Sequence, residues 1–444
     1  RADARARKTG HADLSAYRRI LDSAGPTDWR AYTDLTTEST VVALLADGEP
    51  VAAAPEGQIV AVVLDVTPFY AESGGQAADA GHLTGPDGAA EVIDVQRPIK
   101  GLVVHHVRVT GGELTVGSRL TAQVDPRWRL GARQAHSGTH VLHAALRQVL
   151  GPTALQSGSY NRPGYLRLDF AWPGSLSPAT RSEIEDVANQ ALRDDLPVTA
   201  RIMPLARARE IGALALFGET YDEQVRVVEI GGAWSRELCG GTHVSRSSQI
   251  GVLALTGESS VGAGHRRVEA VVGLDGMRYL ARERDLVTQL AAQLQAPRED
   301  LPARISALLD RARAAERRAD QLARELAAQR ARRLAADAVR IDGTRHVGVV
   351  AAGDDDPWQL AELIRAALPE NEPGVVAVAA PADRVTRLVV ATTTATPATL
   401  GAVHLVKTAL DGRGGGTDRL AQGGAPGRTP EEVLAVVGGA VRAG

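Results

Sequence analysis

The chain has 444 residues, more than one ordinary domain, so two to four units are expected. Its hydrophobic fraction of 44% supports packed cores and excludes global disorder, and its net charge of -3 carries no global sign of nucleic-acid binding, so any such contact must rest on a local field. The single cysteine excludes an intramolecular disulfide and reads as intracellular, and no apolar run reaches the ~18 residues that span a bilayer, so a cytoplasmic chain with no membrane partner is expected.

Residues 1–30 read as a short polar helix over 13–22, ending at Gly25-Pro26 after a basic start at 1–8. Residues 31–125 read as β. Short β-branched runs at 51–54, 58–66, 90–96, 102–109 and 119–124 alternate with Gly turns, which predicts a small barrel. Residues 126–275 mix helix and strand. Asp125-Pro126 opens a helix that runs to Leu150 and stops at Gly151-Pro152. A strand is predicted over 165–170, a helix from Ser177-Pro178 to Leu192, and strands over 198–203 and 225–230.

Residues 276–340 are helical, broken by Pro297 and Pro302. Leu301, Ile305, Leu308, Ala312, Ala315, Ala319, Leu322 and Leu326 alternate steps of four and three, a heptad seam that predicts self-association. At about 1.5 Å per residue the helix 302–339 spans roughly 57 Å. Its Arg-rich outer face reads first as solvated surface. Residues 341–444 alternate strands at 347–351, 375–379 and 388–392 with helices at 357–368 and 400–410, a small α/β unit. The expected fold class is therefore multidomain α+β.

His136 and His140 lie four apart on the predicted helix, so both imidazoles leave one face. Cys239 and His243 repeat that spacing around Gly240-Gly241. Three imidazoles and one thiolate suit tetrahedral Zn2+. His143, seven residues after His136, is a rival ligand from nearly the same face. Four protein ligands describe a closed structural site, whereas catalysis needs an open position, so ligand number by itself favours a structural ion. A metalloprotease helix would carry Glu directly after the first His; here that residue is Ser137.

The string His136-Ser137-Gly138-Thr139-His140, with Cys239-Gly240-Gly241-Thr242-His243, resembles the editing domain of the alanyl-tRNA synthetases. The segment from Thr67-Pro68-Phe69-Tyr70 through Glu72-Ser73-Gly74-Gly75-Gln76 is similar to that family's barrel loop, and Gly414-Gly415-Gly416 with Ala421-Gln422-Gly423-Gly424 to its C-terminal domain. The resemblance implies a tail of an upstream helical region (1–30), a barrel (31–125), an editing domain (126–275), a coiled-coil linker (276–340) and a C-terminal domain (341–444). It also implies that an ATP-using class II aminoacylation domain precedes residue 1. No ATP-binding Gly-rich loop or class II signature is read within the chain.

Several expectations follow from this resemblance. The chain would hydrolyse the ester of tRNA(Ala) mischarged with serine or glycine, with zinc as cofactor and a homodimer formed through the helical region. Thr139 and Gln156 would recognise the substrate hydroxyl; read alone, they are a helix threonine bonded to its own backbone and a surface amide. Ser73, Gly74, Gly75, Gln76 and Asp79 would line the mouth of the site and face the terminal ribose or phosphate. Arg266 and Arg267 would hold a phosphate, the plain alternative being strand arginines paired with carboxylates. Lys407, Gly414, Gly415 and Gly416 would contact tRNA. Gly138 stands where the family has Ala; it weakens the helix by about 1 kcal/mol and is expected to widen the pocket. Two other readings stand beside this one: a non-catalytic, zinc-stabilised tRNA-binding and dimerisation module, and a free-standing trans-editing deacylase.

Overall fold

A computed structural model describes residues 14–215, 221–353, 355–382 and 385–443 of the chain, which forms two compact units meeting between Leu290 and Ala291. The basic start at 1–8 lies outside the described residues. Strands and helices are numbered in chain order.

The first unit opens with α1 (Ser15–Ala24), then β1 (Asp28–Trp29), which pairs in parallel with β6 (Val66–Thr67). Six strands follow one another around a barrel: β2 (Thr36–Ala46), β5 (Ile59–Leu64), β9 (Leu102–Thr115), β8 (Gly88–Ile99), β7 (Gly81–Thr84) and β10 (Arg119–Val124). β10 pairs back onto β2 and closes it, so these strands leave no open edge. β3 (Glu49–Val51) and β4 (Ala53–Pro55) extend β2 and β9. Alternation fills the inside: Leu120, Ala122 and Val124 point inward with Leu44, Val62, Leu83, Val92 and Val107. β8 and β9 outrun the apolar stretches that predict them, because their ladder continues through Gly88↔Gly112, where backbone pairing rather than side-chain burial sets the end.

Asp125 then starts α2 (Pro126–Leu150). Its carboxylate accepts the amides of Arg127 and Trp128, Pro126 supplies the fixed φ of the first turn, and Gly151 closes the helix at φ 108°. α2 is buried on nearly every side from Ala135 to Leu146. It packs on α3 (Pro178–Arg193) and on an antiparallel sheet in the order β11 (Gln156–Arg162), β12 (Tyr165–Ala171), β17 (His265–Val272), β16 (Leu253–Gly262). A second sheet, β13 (Val198–Pro204), β14 (Gln224–Ile230) and β15 (Ser235–Leu238), carries the chain into the Cys239 loop, with α4 (Leu205–Glu210) between its first two strands. Barrel and α2-centred region belong to one compact unit.

α5 (Gly273–Leu294) runs across the boundary, and α6 (Leu301–Ala336) begins with Pro302 in its first turn. In the second unit a six-stranded sheet has the order β18 (Val339–Ile341), β19 (Thr344–Val350), β20 (Gly374–Ala380), β21 (Val385–Thr392), β23 (Leu420–Pro426), β22 (Gly415–Gly416). Only β19–β20 is parallel. Alternate residues of β20 face opposite ways: Val376 and Val378 meet α7 (Pro357–Ala367) and the end of α6, while Val375 and Ala377 meet α8 (Ala402–Ala409) and α9 (Pro430–Ala443). Within α6 only Leu301, Ala331 and Ala335 are buried; Ile305, Leu308, Leu322 and Leu326 of the heptad seam are exposed. Among the described residues no helix is long and apolar enough to cross a membrane.

Candidate metal centre

The four residues selected by spacing converge. One ligand atom from each of His136, His140, Cys239 and His243 lies within 4.8 Å of the others. Cys239 Sγ is 3.4 Å from His136 Nε2 and 3.3 Å from His243 Nε2. In a zinc tetrahedron with Zn–N about 2.0 Å and Zn–S about 2.3 Å, neighbouring donors lie about 3.3–3.6 Å apart, so the donor set fits that ion.

Two of the imidazoles are hydrogen-bonded through their far nitrogens, and the third turns its far nitrogen to a carboxylate. His136 Nδ1 donates to Gln76 Oε1 at 2.8 Å, His243 Nδ1 lies 3.0 Å from Ser137 Oγ, and His140 Nδ1 lies 3.4 Å from Glu237 Oε2. His136 and His243 thereby turn Nε2 toward Cys239, the arrangement by which outer partners fix the tautomer of a metal-binding histidine. Ser137 also accepts the Val244 amide, so the residue that rules out a metalloprotease helix instead ties α2 to the other ligand segment.

The electrostatics favour a Cys239 thiolate. Burial opposes ionisation of Cys239, but His136, His243 and His140 outweigh it and hold the thiol well below its ordinary value. Burial likewise opposes charge on His140, yet Glu237 and the Cys239 thiolate raise it to about 9. Burial dominates at His243 and lowers it to about 3. Glu237, itself buried, is held at about 2 by His140 and His143.

His143 is not one of the converging ligands. Its Nδ1 donates to Glu237 Oε1 at 3.0 Å and its Nε2 accepts the Gln156 amide at 3.2 Å, so it joins the outer shell of His140 to the start of β11. The Cys239 loop is clamped from outside as well. Arg226 Nη1 donates to the carbonyls of Cys239 and Gly241, both at 2.9 Å, and Tyr32 Oη donates to that of Gly240 at 2.7 Å. Gly241 is required by space: a Cβ there would lie 1.9 Å from His136 Cε1.

Thr139 and Gln156 line a cavity of about 390 Å3 together with Ser73, Gly74, Ser159 and three of the four candidate ligands. Thr139 Oγ1 donates to its own helix at Ala135 O, leaving its lone pairs to the cavity. Gln156 Nε2 donates to Ser159 Oγ at 3.1 Å. Gly138 does not widen this cavity. A Cβ on it would meet Leu166 and Val272 in the core, at 3.0 and 3.1 Å.

Three other expectations are corrected by burial or pairing. Gln76 is fully buried rather than at the mouth. Its Oε1 accepts from His136 and from the Thr242 amide, and its Nε2 donates to Thr242 Oγ1, so it bridges the two ligand segments. Asp79 is 2% exposed and forms a buried ion pair with Arg129, so it faces no ribose or phosphate. Arg266 and Arg267 pair with Glu258 and Asp169, the arrangement of strand arginines rather than of a phosphate site. Gly75 is half-buried against Ser159. In the second unit Lys407 is exposed on α8. Gly415 and Gly416 form an edge pairing with Gln422 and Ala421.

Replacing Gln76 by alanine leaves the His136 Nδ1–H and the Thr242 amide without an acceptor. The expected result is a zinc affinity about 10–100-fold weaker, read by competition with a chromophoric chelator. Unchanged affinity would remove Gln76 from the centre.

A closed six-stranded barrel joined to an α+β region with this paired ligand constellation is a tRNA-synthetase architecture, and family comparisons agree. The profile described as "tRNA synthetases class II (A)" matches residues 1–128, which include the segment 67–76. That described as "Threonyl and Alanyl tRNA synthetase second additional domain" matches residues 225–269, which include Cys239 and His243. Among curated relatives, the alanine–tRNA ligase of Leifsonia xyli subsp. xyli is 50% identical over 432 residues, 96% of this chain and 48% of that protein. Those of Salinispora tropica (47%, 98% of this chain, 50% of that protein) and Mycolicibacterium gilvum (48%, 96%, 49%) are similar. The chain belongs to the alanine–tRNA ligase family and spans about half the length of the curated relatives it matches.

Proposed function

We propose that the chain proofreads: it hydrolyses the ester of tRNA(Ala) wrongly carrying serine or glycine, with zinc held by His136, His140, Cys239 and His243. The observation that carries this reading is that Thr139 and Gln156 share one cavity with three of those ligands. Bound zinc supplies Lewis acidity, polarising an ester and making water a better nucleophile. Thr139 Oγ1 accepts the hydroxyl that distinguishes serine from alanine, and the Gln156 amide orients the amino acid. A pocket built to hydrogen-bond a hydroxyl discriminates where an apolar one cannot. The wider protein of this family would attach alanine to tRNA(Ala) using ATP. The tRNA would also meet Ser73 and Gly74 at the mouth, and Lys407 with the Gly414–Gly415–Gly416 edge in the second unit. The exposed seam of α6 would join two copies in a homodimer.

One observation favours a second reading. Four protein ligands within 4.8 Å describe a closed site, as in a zinc-stabilised tRNA-binding module without catalysis. The two separate on Ser-tRNA(Ala), Gly-tRNA(Ala) and Ala-tRNA(Ala). Proofreading predicts zinc-dependent loss of the seryl ester at least about 100-fold faster than of the alanyl ester. Thr139→Val should cut the serine preference about tenfold, the loss of one hydrogen bond of about 1.4 kcal/mol. Decay of all three esters no faster than in buffer, with or without zinc, would leave only the binding module.

A further inference from the structure

A second cleft, of about 680 Å3, touches the centre through His243 and shares Arg226 with the Thr139 cavity. The two cavities differ in charge. Glu237 and Asp222 line the smaller one, whereas among the described residues the larger is lined by Arg133 and Arg226 with no carboxylate. Arg133 is half-buried on α2, and its Nε is shut from water with no hydrogen-bond partner among the described residues. Burial, with Arg129 nearby, lowers its guanidinium from the usual value. A buried guanidinium N–H without an acceptor is costly, and an arriving anion would relieve it.

Aromatic rings lead to the same cleft. Arg97 Cζ lies 4.3 Å over the Trp29 ring, Trp29 meets Tyr32 edge-on at 4.8 Å, and Arg226 Cζ lies 4.3 Å over Tyr32. Arg97 and Tyr32 are exposed, and Tyr32 forms part of the cleft wall. Guanidinium groups interleaved with ring surfaces are what a single-stranded nucleic acid requires, the cations for phosphates and the rings for bases.

We propose that this cleft binds the single-stranded 3′ end of an RNA, with Arg133 on a phosphodiester and the exposed ring of Tyr32 beside a base. The proposal rests on the reading of the chain as acting on a tRNA ester, and deepens it by assigning the nucleotide side of the site. The ester enters the Thr139 cavity, and the strand that carries it lies in the carboxylate-free cleft, with Arg226 bordering both.

The test uses the full chain and an uncharged, fluorescein-labelled RNA minihelix, with or without a single-stranded 3′ overhang, followed by anisotropy across a salt series. Wild type should prefer the overhang. Arg133→Gln should weaken overhang binding about tenfold and flatten the salt dependence by about one phosphate contact. Leu130, 49% exposed on the cleft wall, gives a pair of variants that leave the fold intact. Leu130→Glu should weaken overhang binding as Arg133→Gln does, whereas Leu130→Lys should not. If Arg133→Gln and Leu130→Glu bind the overhang like wild type, the proposal is overturned. Hydrolysis of Ser-tRNA(Ala) is scored separately. A wild type that hydrolyses while the cleft variants bind normally keeps the proofreading reading and rejects the cleft. A wild type that does not hydrolyse, while Arg133→Gln loses the overhang, rejects proofreading and keeps the cleft.

Discussion

Cys239→Ala is expected to leave the purified chain with less than about a tenth of its zinc and to lower seryl-ester hydrolysis by at least about 10^3-fold. The thiolate is the only anionic donor of the four, and it is the atom 3.3–3.4 Å from two of the three imidazoles. Without it, three neutral imidazoles face a dication with no charge to balance it. Structural zinc contributes about 10–16 kcal/mol of binding free energy that is linked to folding, so loss of a ligand is also loss of stability. Zinc content after gel filtration tests the ligand assignment, and full retention would remove Cys239 from it. The melting temperature of the same sample tests the ion's role. A large fall marks an ion that supports the fold, whereas lost hydrolysis with an unchanged melting temperature marks one that serves chemistry.

The second large effect lies away from the chemistry. Arg129 and Asp79 are 1% and 2% exposed and pair directly. Arg129 also donates to the carbonyls of Ala31 and Pro68, and Asp79 accepts the Tyr70 amide. The pair thus joins α2, which carries His136 and His140, to the barrel loop that carries Gln76. Arg129→Met strands a buried carboxylate and two carbonyls, and should cost about 3–5 kcal/mol in urea unfolding. Adding Asp79→Asn should restore part of that loss, because the uncompensated charge is the main penalty. A single variant within about 0.5 kcal/mol of wild type would show that the pair does not hold barrel and helix together.

How much of this was legible beforehand varied with the range of the interaction. The ends of α2 were readable because Asp125, Pro126 and Gly151 act within a few residues. The ligand quartet was readable because each pair lies within one helical turn or one tight loop. The β16–β17 hairpin was not, since its strands mix Gly, Ser, Glu and Arg and are ordered by pairing with each other and, through β17, with β12. α9 was passed over although Val433, Val437 and Val441 repeat every four residues and are all buried. That signal was present in the sequence. Tyr32, Arg226 and Glu237 had no local signal at all. Tyr32 meets Gly240 across 208 positions of sequence.

The sequence by itself determined the candidate metal ligands, the helix that holds two of them and the family, because each depends on residues a few positions apart. Only the tertiary structure decided which polar residues face substrate and which support the ligands. Gln76 and Asp79 sit three residues apart in one loop with Ser73 and Gly74, yet both are buried, while their two neighbours line the cavity. A loop's sequence specifies its turns. Burial depends on what packs over the loop, and here that is α2 with Arg129 and the Thr242 backbone.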